Sequence, residues 1–198
     1  MKRSVLAILV VVITLVLSGA AFLYSGLYNI AADEKHWDTT AQLMQTARLR
    51  SIGRHARDIK PPSLDDPQLT LKGAGQYAEM CVMCHLAPGL SETPLRQGLY
   101  PQPPDLSQQK VDAATSFWVI KHGVKMSGMA AWGASHDDET LWSIVACLQK
   151  LPGLSPQQYK ERVDEAPPDA EMSSAGGRSE HGSSHHAHTH SHKKAHDK

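Results

Sequence analysis

Apolar residues fill the chain from Ser4 to Tyr24 without a single charge, the longest such run in the sequence. At 1.5 Å per residue this stretch makes a helix of about 30 Å, the thickness of a bilayer's hydrocarbon core. Lys2 and Arg3 flank its short side, which assigns the N-terminus to the cytoplasm and everything after Tyr24 to the periplasmic face of the inner membrane. A cleaved leader is the competing reading, with Ser18-Gly19-Ala20 or Ile30-Ala31-Ala32 as small-residue cleavage sites. The run is longer than a usual leader core, which favours a retained single-pass anchor over residues 1–30.

Beyond the anchor the apolar positions recur at helical spacing. Ala41, Met44, Ala47, Leu49, Ile52, Ala56 and Ile59 predict a helix over 40–58, opened by a capping box of Thr39 with Gln42 and ended by Pro61-Pro62. A second helix is predicted from about Leu71 to Cys81, with Gly73 and Tyr77 on one face, where the glycine admits close approach and the tyrosine adds apolar bulk. Its partner is predicted over 137–151, where Leu141, Trp142, Ile144, Val145 and Leu148 form a stripe, acidic residues fill the first turn and Pro152-Gly153 follows the end. Alternating β-branched runs are missing and Phe and Tyr are few, so the fold class is all-α.

The boundaries follow as anchor 1–30, helical linker 31–68, globular domain 69–155, second linker 156–172 and tail 173–198. Lys plus Arg and Asp plus Glu each number 20, so no overall field points to nucleic acid. Locally, Arg48, Arg50, Arg54, Arg57 and Lys60 face only Asp58, a basic stretch suited to solvent, an acidic partner or lipid headgroups. The tail holds His181, His185, His186, His188, His190, His192 and His196 with almost no apolar side chains, so it is expected to be disordered. Its imidazoles are ready ligands for divalent metal ions.

Chemistry concentrates at Cys81-Val82-Met83-Cys84-His85, since C-x-x-C-H is the spacing for covalent attachment of one haem c. The two thiols add across the vinyl groups and the imidazole lies beneath the iron. A thioredoxin-like or zinc-binding C-x-x-C needs a βαβ setting or a second cysteine pair, and the sequence has neither. An exported vicinal pair with no haem would tend towards a disulfide.

Between Gly73 and the final predicted helix the chain resembles class I mono-haem cytochromes c, here membrane-anchored. The resemblance covers about 69–153 and rests on Gly73, Tyr77, the C-x-x-C-H run, Tyr100-Pro101-Gln102-Pro103-Pro104-Asp105-Leu106, and Lys121-His122-Gly123-Val124-Lys125-Met126-Ser127-Gly128-Met129. It implies a helical fold around one haem, with terminal helices crossing near a right angle. It also implies that Cys81 and Cys84 hold the porphyrin while His85 and Met129 take the iron axially. A backbone carbonyl of the proline-rich segment is expected to accept the His85 Nδ1 proton. Met126 and His122 remain competitors for the second axial position, although Gly128-Met129-Ala130-Ala131-Trp132-Gly133 matches the family's ligand loop except for alanine in place of proline. Leu86 replaces the glycine that often follows the haem histidine, and Cys147 stands where an aromatic residue is common.

The smaller signals read as packing. Phe117 and Trp118 are expected in the core around the haem and Cys147 as a small buried hydrophobe, while His122 and His136 are expected at the surface or on the haem propionate side and His36 and His55 are isolated. The function expected from the whole is single-electron carriage between a membrane dehydrogenase or quinol-oxidising complex and an oxidase or soluble carrier. The alternative is a haem-based redox or gas sensor, or a metal-handling accessory protein that uses the tail. No pair of side chains is placed for acid–base catalysis, so an enzyme is the least favoured class.

Overall fold

A computed structural model describes residues 2–168, and among these every regular element is helical. Helix α1 (Lys2–Tyr24) is the apolar run, with none of its residues buried. Helices α2 (Asp38–Ala56), α3 (Pro67–Met80), α4 (Val82–His85), α5 (Pro94–Gln97), α6 (Ala113–His122), α7 (Asp138–Lys150) and α8 (Pro156–Asp164) follow, with a 3₁₀ turn at Trp132–Ala134 before α7.

The core is the crossing of α3 and α7. Ala74 and Tyr77 from one helix and Leu141, Ile144, Val145 and Leu148 from the other are buried together, and Leu151 closes the end. The crossing is close because Gly73 has no side chain: a Cβ there would fall 1.8 Å from the Ser143 carbonyl oxygen. Helix α6 covers another side of α7, with the Phe117 ring stacked on Trp142 at 4.0 Å between centroids and Lys121 Nζ bonded to Asp138 at 2.6 Å. Helix α8 lies on α3, where Tyr159 meets Tyr77 edge to face. Helix α2 packs on α6 through the buried Ala56.

Several predicted ends shift for local reasons. Helix α3 starts at Pro67, not Leu71, because the Asp66 carboxylate accepts from the Gln68 amide at 2.9 Å and Pro67 fits the first helical position. Helix α2 begins at Asp38 behind Trp37 with no side-chain cap, so the expected Thr39–Gln42 box does not open it. Helix α8 stands inside the stretch read as linker, built by a capping box in which Ser155 and Gln158 satisfy each other's amides. His36 and His55 are not isolated: His36 meets Tyr100, and His55 stacks on Trp118. Trp118 is half-buried between His55 and His122 and is not a core residue, whereas Phe117 is buried as expected. The expectations for His181, His185, His186, His188, His190, His192 and His196 fall outside the described residues.

Candidate haem site

Cys81 ends α3 and opens α4, and the chain turns once through the motif without a break. Its amide bonds the Tyr77 carbonyl at 2.9 Å, and its own carbonyl takes the His85 amide at 2.8 Å. Cys81 and Cys84, three residues apart on this turn, share one face and are both free thiols. Burial, with Cys147 and Cys84 nearby, pushes the Cys81 thiol up to about 12, and burial does the same for Cys147. Both are neutral thiols near pH 7.

His85 is half-buried at the end of α4, and its Nδ1 donates to the Pro104 carbonyl at 3.0 Å. The Leu106 amide returns a bond to the His85 carbonyl at 3.1 Å, so the proline-rich loop is stitched to the motif at two points. With Nδ1 engaged as donor, Nε2 is the nitrogen left with a lone pair. Burial holds the imidazole below its ordinary pKa; the Pro104 bond opposes this and the nearby Arg96 charge adds to it.

The next residue pays for the turn. Leu86 has φ 62° and ψ 176°, a conformation that glycine adopts freely and other residues do not. It is held from both sides: the side chain is 2 % exposed, and Tyr77 Oη donates to its carbonyl at 2.7 Å. Beyond it, α5 is tied to α4 by the Thr93 hydroxyl donating to the Met83 carbonyl. Arg96 on α5 bonds Glu92 at 3.0 Å, yet its Nε is buried with no partner among the described residues.

Met129 and Met126 occupy different surroundings. Met129 is half-buried against the cluster that contains Cys81, Phe117 and Ile120. Its carbonyl accepts from Val124 at 3.1 Å and its amide donates to Ser127 Oγ at 3.2 Å. Gly123, at φ 65°, lies beneath this loop, and a Cβ there would meet the Met129 carbonyl oxygen at 2.7 Å. Met126 is 84 % exposed at φ 58°, and His122 is exposed against Trp118.

Residues 68–148 match the family model described as cytochrome C oxidase, cbb3-type, subunit III. They form a class I c-type cytochrome domain. No curated protein and no solved structure matches the chain. The match takes in α3 through most of α7 and leaves α1, α2 and α8 outside. A cytochrome of this family carries covalently bound haem c and transfers electrons.

The residues present fit that group. A pair of free thiols on one helical turn, an imidazole with one nitrogen fixed and the other free, and a thioether on the same core are the donors haem c takes. The buried, unpartnered Arg96 Nε suits a carboxylate of the same group. Arg96 was not among the residues expected from the cytochrome resemblance; its one signal was Glu92-Thr93-Pro94-Leu95-Arg96, a cap followed by an i,i+4 ion pair.

Proposed function

We propose that the chain is a membrane-tethered electron carrier serving an oxidase-type complex, with Cys81 and Cys84 as attachment points and His85 and Met129 as axial ligands. The observation that carries this reading is the His85 Nδ1 bond to Pro104, which leaves Nε2 as the one nitrogen able to reach a metal. Bound haem c supplies a one-electron couple at iron.

The protein's own residues do the rest. The Pro104 carbonyl orients the imidazole and raises its basicity as a ligand. The loop Val124–Met129, closed over Gly123, turns a soft thioether towards the core, which favours a high reduction potential over that of two imidazoles. The buried Arg96 Nε, without a partner among the described residues, would be available to a carboxylate of haem c. Helix α1 is long and apolar enough to cross a membrane, and Lys2 and Arg3 favour a periplasmic domain.

The test is a set of measurements on the maturated full chain. Pigment that resists acidified acetone, a six-coordinate low-spin spectrum and oxidation by membranes that contain a terminal oxidase are expected. A protein that binds carbon monoxide readily in its reduced state points to the sensory alternative. The seven tail histidines within 173–198 support a separate metal-binding role, read out by divalent-metal uptake before and after deletion of that segment.

A further inference from the structure

Two residues inside the end of α1, the Phe22 ring lies 6.1 Å from the ring of Trp37, although fourteen residues of chain separate them on the path out and back. The return is built locally. Ser25 closes the last turn of α1 through its amide to Ala21 at 2.9 Å and its hydroxyl to Phe22 at 2.7 Å. Gly26, at φ 68°, reverses the chain, and Asn29 Oδ1 takes the Ala31 amide at 3.0 Å. Tyr28 fills the resulting loop, with its ring 5.1 Å from Trp37 and its hydroxyl 2.8 Å from His36 Nδ1.

The level of Trp37 is therefore that of the last turn of the apolar helix, and the ring is 61 % exposed. Leu27 and Ile30, in the same loop, are 75 % and 86 % exposed. An aromatic ring with a polar edge, flanked by uncovered aliphatic side chains at the end of a span, suits the boundary between hydrocarbon and headgroups. On the other side, His36 meets Tyr100 edge to face at 5.1 Å. Tyr100 begins the proline-rich segment whose Pro104 carbonyl holds His85.

We propose that Leu27, Ile30 and Trp37 sit in the lipid interface and that the His36–Tyr100 contact holds the proximal loop of the cytochrome domain against the membrane surface, so that the domain does not swing on a free tether. The occupant of this apolar patch is the bilayer, because the patch is continuous with the end of α1. The inference rests on the reading of α1 as a membrane span. It goes beyond that reading, since a span alone leaves the orientation of the domain open.

The test uses the full haem-loaded chain in nanodiscs of phosphatidylethanolamine and phosphatidylglycerol. A photoreactive benzophenone side chain at position 12, 27 or 37 is expected to form lipid adducts on illumination. Adducts from position 12 with none from 27 and 37 overturn the interfacial patch and leave the span standing; no adduct from position 12 removes the span, and the inference with it. A headgroup-linked gadolinium chelate is expected to broaden amide signals of residues 98–106 ahead of the domain average. Tyr100→Ala should even out that broadening, and uniform broadening in the native chain overturns the docked orientation.

Discussion

Gly73 and Ser143 touch backbone to backbone at the centre of the α3–α7 crossing, and the space between them is smaller than one methyl group. The atoms that would meet a Cβ are carbonyl and amide atoms of α7, which cannot rotate away as a side chain can. Gly73→Ala is therefore expected to force the two helices apart and to cost on the order of 3 kcal/mol, at the upper end of overpacking penalties. Gly53, inside α2, has nothing within 4 Å of its Cβ position. Gly53→Ala should stabilise by about 0.5 to 1 kcal/mol through helix propensity alone. Denaturant unfolding of the haem-loaded protein measures both, and equal effects of the two substitutions would contradict the crossing described.

At Leu86 the usual order of small substitutions is expected to invert. Leu86→Ala and Leu86→Gly both remove a buried side chain, but only glycine accepts φ 62° and ψ 176° at no steric cost. Elsewhere in a core glycine is the worse replacement. Here Leu86→Gly should be more stable than Leu86→Ala by about 1 to 2 kcal/mol, the strain carried by a non-glycine residue in that region. An alanine variant as stable as the glycine one would show that the backbone relaxes freely.

The terminal crossing was legible in the sequence because its signals are local and redundant: Gly73 and Tyr77 one turn apart, a five-residue apolar stripe in α7, and acidic residues at the start of that helix. The motif turn was legible for the same reason, since spacing alone specifies it. Helix α6 was not, because Phe117, Trp118 and Ile120 are too few to show a period and its start depends on one Asp112 cap. Helix α8 was hidden by its composition: Gln157, Gln158, Lys160 and Glu161 read as linker, and only Tyr159 and Val163 meet the core. The approach of Arg96 to His85 and of Tyr100 to His36 lay beyond reach, because the fold and not spacing brings each pair together.

The contrast between the two methionines gives a direct prediction. Met129→Ala should remove the weak sulfur-to-iron absorption and lower the reduction potential by on the order of 100 mV, within the span that axial ligands set. Met126→Ala, at a side chain 84 % exposed, should leave both unchanged. Gly123→Ala should weaken the same absorption without touching either sulfur, because its methyl group would displace the Met129 carbonyl. Optical spectra with a potentiometric titration decide this, and loss of the band in Met126→Ala would transfer the ligand role.

Asp137 links stability to pH through a single cap. Its carboxylate accepts from the Thr140 amide at 2.8 Å, and that bond, ahead of any charge nearby, holds its pKa below the ordinary 3.8. A group whose folded pKa is depressed contributes fully above its unfolded value and loses the contribution as pH falls through the folded one. Asp137→Ala is therefore expected to cost about 1 kcal/mol near neutral pH, the usual worth of a helix N-cap. Because the group is solvent-exposed, much of the charge component is screened and the effect should shrink further in high salt. Unfolding curves of both proteins between pH 7 and the acid limb should converge below pH 3.8, where the native carboxylate takes up its proton. Parallel curves across that range would show that Asp137 caps α7 by geometry alone.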